Sequence, residues 1–120
     1  MSKYTLVIGA SENESRYSNM AIKKLVKYGH PVAAIGLRDG KVEGIPFSKE
    51  HKVFADIDTV TLYINETHQQ DYYDYILSLN PKRIIFNPGT ENPELEKLAN
   101  QKGIEAVEAC TLVMLGTGQY

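Results

Sequence analysis

Val7-Ile8-Gly9-Ala10-Ser11-Glu12-Asn13-Glu14-Ser15-Arg16-Tyr17-Ser18-Asn19 is the stretch from which the rest of the chain can be read. A compact β-type run, Tyr4–Ile8, ends at Gly9, and a polar loop follows it. From about Ser18 to Tyr28 an amphipathic segment places Ile22, Leu25 and Val26 on one stripe, and Gly29 supplies the stop. Strand, polar loop and helix in that order open an α/β unit. The loop also presents free amides at the positive end of a helix dipole, worth roughly half an elementary charge. Gly9 lets backbone approach closely. Ser11, Ser18 and Asn19 offer donors, and Arg16 carries a planar, permanently charged fork suited to phosphate oxygens. Taken alone, the same segment also fits an ordinary βα turn with a surface arginine.

Outward from this unit the pattern repeats. Pro31–Ile35 ends at Gly36, Thr59–Ile64 and Arg83–Phe86 follow, and Ile104–Val107 is a weaker fifth run. Most are apolar at successive positions, as strands covered on both faces should be. Thr67-His68-Gln69-Gln70 has capping-box spacing and opens a helix with Tyr72, Tyr75, Ile76 and Leu79 on its core face, ended by Asn80-Pro81. Asn92-Pro93 caps another, with Leu95, Leu98 and Ala99 aligned before Gly103. The expectation is an α/β, three-layer Rossmann-like fold with a mostly parallel sheet of about five strands and right-handed crossovers. With the first strand central, the second on one side and the third on the other, the ligand crevice lies beyond the ends of strands one and three. Leu37–Asp58 shows no helix of convincing length. Turns are expected there at Arg38-Asp39-Gly40 and Gly44-Ile45-Pro46, with a short edge strand around Pro46-Phe47.

The 120 residues fit a single domain, 1–120. A net charge of −2 excludes a broad nucleic-acid footprint but allows a local positive cluster around one ligand. Cys110 is the single cysteine, so no intrachain disulfide forms, in keeping with a reducing cytoplasm. Met1-Ser2-Lys3 runs straight into a strand with no signal-type apolar region, and no run approaches the roughly 18 residues that span a bilayer. The expected setting is soluble and cytoplasmic, with no membrane partner.

The glycine fingerprint of dinucleotide folds is absent, because Gly9 is followed by Ala10-Ser11. The second strand ends in Gly36-Leu37-Arg38, where an NAD-binding chain would place a ribose-reading acid. Arg38 instead suits an extra ribose phosphate, carried at the 3′ position by coenzyme A and at the 2′ position by NADP. Pairing with Asp39, or simple solvation in a turn, are its other readings. Cys110 is read first as a small buried residue near the sheet end and second as a nucleophile or mixed-disulfide thiol. His30, His51 and His68 lack metal-ligand spacing, so no metal is expected, and His30 and His68 read as surface residues. Tyr72 and Tyr75 read as packing residues, and Tyr63 either faces the crevice or does not. No catalytic set emerges.

The strand-Gly9-Ala10-Ser11 opening with Arg16 and Ser18 resembles the small bacterial coenzyme A-binding domain family. That family is similar to the N-terminal domain of the succinyl-CoA synthetase α subunit. The likeness continues through Val42–Phe47, Ile85–Thr90 and Gly103–Cys110, and so covers nearly the whole chain in order. It departs at Gly36-Leu37, where many relatives carry Asn-Pro. The resemblance implies that Gly9, Ala10, Ser11 and Arg16 meet a diphosphate, with Ser18 and Asn19 at the helix start. It further implies Arg38 near the phosphorylated ribose, Ile64-Asn65 beside adenine or ribose, and Asn87-Pro88-Gly89 on the opposite wall. The leading expectation is non-catalytic binding of coenzyme A or an acyl-CoA, relayed to a protein partner or pathway. An NADP-dependent reductase, or another nucleotide-dependent enzyme component such as an acyl-CoA ligase fragment, is the alternative. An interaction domain without ligand is the third. A monomer and a homodimer are equally open, and the apolar tail Leu112–Leu115 covers the sheet edge or joins a dimer interface.

Overall fold

Cover on both faces is what turns the apolar runs into parallel strands. The structure, a computed structural model, describes residues 2–120. Its main sheet is built from β1 (Thr5–Ala10), β2 (Val32–Gly36), β5 (Thr59–Leu62), β6 (Arg83–Phe86) and β7 (Glu105–Glu108). All pairings are parallel in the order β2-β1-β5-β6-β7, with Leu6 opposite Val60 and Ile8 opposite Leu62. This is the doubly wound order in which the chain leaves the central strand once to each side. Leu6, Ile8, Val60, Leu62, Ile84 and Phe86 pack on one face against Ile76, Leu95 and Ala99. These three belong to α3 (Tyr73–Leu79) and α4 (Pro93–Gln101). Val7 points the other way, onto Ile22 and Leu25 of α1 (Tyr17–Lys27) and Leu115 of α5 (Thr111–Gly116). Ile22 and Leu25 are fully buried, and each such side chain contributes about 1.5–3 kcal/mol. The three-layer α/β architecture is as expected.

Three local features differ from expectation. The helix after β5 begins at Glu66, not Thr67, because the Asn65 side chain caps it by accepting from the His68 amide at 3.0 Å. It is also interrupted: α2 (Glu66–Gln69) passes through a 3₁₀ turn, Gln70–Tyr72, before α3. The interruption falls where the fully buried Gln69 side chain is drawn inward to the carbonyls of Ile64 and Thr90, at 2.9 and 2.7 Å.

The second difference is at Pro46-Phe47, which is not an edge of the main sheet. It lies in β4 (Ile45–Phe47), paired antiparallel with β3 (Gly40–Val42) in a separate hairpin. Glu43 (φ 51°) and Gly44 (φ 78°) form the two-residue turn, both left-handed as such a tight hairpin requires. The Gly36 amide fastens the hairpin to β2 by donating to Ser48 O at 3.0 Å.

The third concerns the apolar tail, which covers a sheet face and not its edge. It forms α5, with Leu115 buried beside α1. Beyond it Tyr120 hydrogen-bonds Thr5, packs edge-on against His30 at 4.8 Å, and lies 4.4 Å from the Arg83 guanidinium carbon. Among the described residues no helix is long and apolar enough to cross a membrane, and no group of three or more His, Cys, Asp or Glu could hold a metal ion.

Candidate functional site

Where β1 and β5 end, their connections leave on opposite sides of the sheet and open a crevice between them. A cavity of about 850 Å³ fills it, within the range of small-molecule sites. Its first wall is the loop after β1, Gly9–Asn13 with Arg16–Ser18. The second is Leu37–Asp39 with Phe47, and the third combines Tyr63–Asn65, His68 and Pro88–Thr90.

Gly9 sets the first wall. Pairing with β2 skips it, passing from Ile8↔Ile35 to Ala10↔Gly36, so Gly9 is the bulged residue where the strand turns into the loop. Its φ of +103° suits glycine, and a Cβ there would lie 3.0 Å from the Tyr63 carbonyl carbon and oxygen. The loop folds on local side-chain bonds. Ser11 Oγ accepts from the Asn13 amide at 3.1 Å, and Asn13 Oδ1 accepts from the Ser15 amide at 3.0 Å. Asn19 ties loop to helix, its Nδ2 donating to Ser11 O at 3.0 Å.

Arg16 is the N-cap residue of α1 by backbone position, and no side chain caps this end. Asn19 and Met20 are the first amides to find a carbonyl, that of Arg16, so Tyr17 and Ser18 have no intrahelical acceptor. The first turn contains no acidic residue to neutralise the helix dipole. Neither Arg16 nor Arg38 forms an ion pair among the described residues, where the pairs are Lys23–Glu14 at 3.2 Å and Lys82–Asp58 at 4.0 Å. Asp39 therefore lines the crevice beside Arg38 without pairing to it.

The third wall is held from behind. Asn87 is buried, its Nδ2 donating to Thr61 Oγ1 at 2.7 Å and Leu62 O at 2.9 Å, while its Oδ1 accepts from the Thr111 amide at 2.9 Å. Gln69 joins the Ile64 and Thr90 carbonyls, and its Oε1 accepts from Asn92 Nδ2 at 3.0 Å. Together these amides lock the two loops of the wall to one another.

Gly9, Ala10, Ser11, Arg16, Ser18, Arg38, Ile64, Asn65, Pro88 and Gly89 thus converge on one cavity. Asn19 and Asn87 stand behind its walls; Asn87 is engaged at both ends of its carboxamide, whereas Asn19 donates through Nδ2 and its buried Oδ1 has no partner. His68 is exposed, as expected, but it also lines the crevice, which sequence reasoning missed. The signal was its place in the first turn of a helix following a parallel strand, because such turns face the ligand end of the sheet. Glu12, Leu37, Phe47 and Thr90 were also missed, and Tyr63 lines the crevice while its hydroxyl is buried inside the protein near Thr61 and Thr111. Burial pushes the Tyr63 hydroxyl far above its ordinary range. Cys110, half-buried ahead of α5, is not among the lining residues.

The crevice wall thus carries Arg16 and Arg38 together with Glu12 and Asp39, beside the open start of α1. A sequence model of a CoA binding domain matches residues 3–116. Comparison with curated proteins gives no match. Among solved structures, a crystal structure of an uncharacterized protein is 48% identical with a TM-score of 0.97, covering 100% of this chain and 99% of its own. A Pyrococcus horikoshii OT3 hypothetical protein shares 22% identity at a TM-score of 0.88, over 97% of this chain and 83% of that one. The dinucleotide-forming acetyl-coenzyme A synthetase 1 of Ca. Korarchaeum cryptofilum, in complex with phosphate and ADP, shares 19% identity at a TM-score of 0.71. That match covers 89% of this chain and 25% of the synthetase. At such identities the last two show a shared fold alone.

Proposed function

The chain belongs to the CoA binding domain family, and we propose that it binds coenzyme A or an acyl-CoA in the crevice between β1 and β5 without turning it over. The observation that carries this reading is the convergence of two arginines without ion-pair partners and the uncapped start of α1 on one cavity of about 850 Å³. The Tyr17 and Ser18 amides and the Arg16 guanidinium hold the diphosphate, as donors and a fixed charge aimed at its oxygens. Arg38, across the crevice, takes the ribose 3′-phosphate. Ile64 and Pro88 give the adenosine end apolar cover, and Asn65 sits beside them as the cap of α2.

When bound, coenzyme A supplies a thiol that carries acyl groups. The residues of this chain bind and orient it; Cys110 stands apart from the lining. We propose that the loaded and empty states are read by a protein partner in the cytoplasm. Calorimetric titration with coenzyme A, dephospho-coenzyme A and NADP tests the reading. Coenzyme A should bind tightest, and loss of its 3′-phosphate should weaken binding about 10- to 150-fold, the scale of one charge-assisted contact. Folded protein that binds none of the three refutes the proposal. Preference for NADP would shift the reading to a nicotinamide-dependent enzyme component.

A further inference from the structure

Glu12 is, with Asp39, one of two carboxylates on the crevice wall, and a negative charge there has the wrong sign for a phosphate ligand. Its geometry gives it another task. Glu12 Oε2 accepts from the Lys41 backbone amide at 3.1 Å, joining the loop after β1 to strand β3. That amide is available because of the hairpin register. With a two-residue turn the Val42–Ile45 pair exchanges the ladder bonds, so Lys41, opposite Pro46, points its N–H outward. The neighbouring residue is fitted to the contact as well. A Cβ on Gly40 would lie 2.9 Å from Glu12 Cγ and 2.6 Å from Phe47 Cζ, so glycine is what lets the Glu12 stem and the Phe47 ring close over this strand.

We infer that Glu12 is a positioning residue that staples the β3–β4 hairpin to the phosphate-facing loop, so that Arg16 and Arg38 act as one anion cradle. The inference rests on the reading of the crevice as a coenzyme A site. Arg16 lies four residues beyond Glu12 in the loop, and Arg38 lies three residues before Lys41 at the entrance to β3. Between them the Glu12–Lys41 bond is the direct cross-link joining the two segments. Its cost is a negative charge near bound phosphates; its gain is a fixed distance between two guanidinium groups.

Charge and reach are separated by three variants. Glu12→Gln keeps an oxygen acceptor at the same reach and removes the charge. Glu12→Asp keeps the charge and loses the reach, and Glu12→Ala loses both. Amide exchange at Lys41, followed by NMR in ligand-free protein, should stay slow in wild type and Glu12→Gln and quicken about threefold to tenfold in the other two. Coenzyme A affinity should fall about threefold to tenfold in Glu12→Asp and Glu12→Ala, and hold or tighten in Glu12→Gln. In an Arg38→Ala background the further effect of Glu12→Ala should shrink below about twofold, since the two residues then act on the same contact.

Tighter binding by both Glu12→Ala and Glu12→Gln would make Glu12 a repelling charge only and overturn the inference. Unchanged Lys41 exchange in Glu12→Ala would overturn it too. Failure of the wild-type protein to bind coenzyme A refutes the cofactor reading and the positioning role with it, while Lys41 exchange still decides whether the staple exists.

Discussion

Replacing Gly9 by alanine tests how the site is built, because two separable penalties meet at that residue. Its φ of +103° lies where an L side chain costs about 1–2 kcal/mol. The added Cβ would also lie 3.0 Å from the Tyr63 carbonyl group and 3.1 Å from Ile64 Cγ2, and the first of these is backbone that cannot swing aside. Overpacking of this kind costs about 1–3 kcal/mol, and restriction of the unfolded chain by alanine returns about 0.4–1 kcal/mol. The net expectation for Gly9→Ala is about 2–4 kcal/mol of lost stability, or roughly 6–16 °C in Tm for a chain of this size. Gly29→Ala is the control. Gly29 also has a positive φ, +82°, but a Cβ there meets nothing within 4 Å, so only the dihedral penalty applies. Its expected cost is about 1 kcal/mol. Urea unfolding of both variants, with the denaturant slope checked for constancy, gives the difference directly. Equal costs within about 0.5 kcal/mol would refute the close approach of the loop to Tyr63 on which the crevice depends.

Asn87→Ala should cost about 2–4 kcal/mol in the same assay, because it leaves the buried Thr111 amide and Leu62 carbonyl without their partner; a loss below about 0.5 kcal/mol would show that Asn87 does not hold the wall. Alkaline pH should also destabilise the fold. Burial, reinforced by Tyr4 and Tyr72, raises the Tyr75 hydroxyl from 10.0 to about 12, and burial raises Tyr63 in the same direction. Below pH 10 both folded and unfolded chains keep these protons and the stabilisation is fully present. From there to about pH 12 the unfolded chain sheds them first, so stability is lost. Thermal melts should show Tm falling through this window and falling less steeply in Tyr75→Phe, whereas a flat profile would contradict the burial argument.

The sheet was legible because its signals are local. Tyr4–Ile8 is mostly apolar and ends at a glycine, and the alternation of such runs with amphipathic stretches leaves few topologies open. The crevice-lining loop was legible for the same reason: Gly9, Ser11 and Arg16 sit between a strand signal and a helix signal. The hairpin was half-legible. Its turns show in the sequence, but its pairing depends on Phe47 closing over Gly40, a contact between residues that carry no pattern of their own. Gln69 was read as part of a helix start, yet its amide is fully buried and bridges two loops. A polar side chain turned inward leaves no periodic trace, so only the folded arrangement reveals it. Asn87 is the same case: its loop was expected to face ligand, and its carboxamide turns back to hold β5 and α5 together.

Backbone amide shifts recorded while coenzyme A is titrated into the protein test the central claim most directly. The largest changes should fall on Ser11, Glu12, Tyr17 and Ser18, with a second group at Leu37–Asp39 and little movement along α4 or β7. Changes centred on α4, around Pro93–Gln101, or an unperturbed start of α1 at saturating ligand, would contradict the claim that this helix end receives the diphosphate.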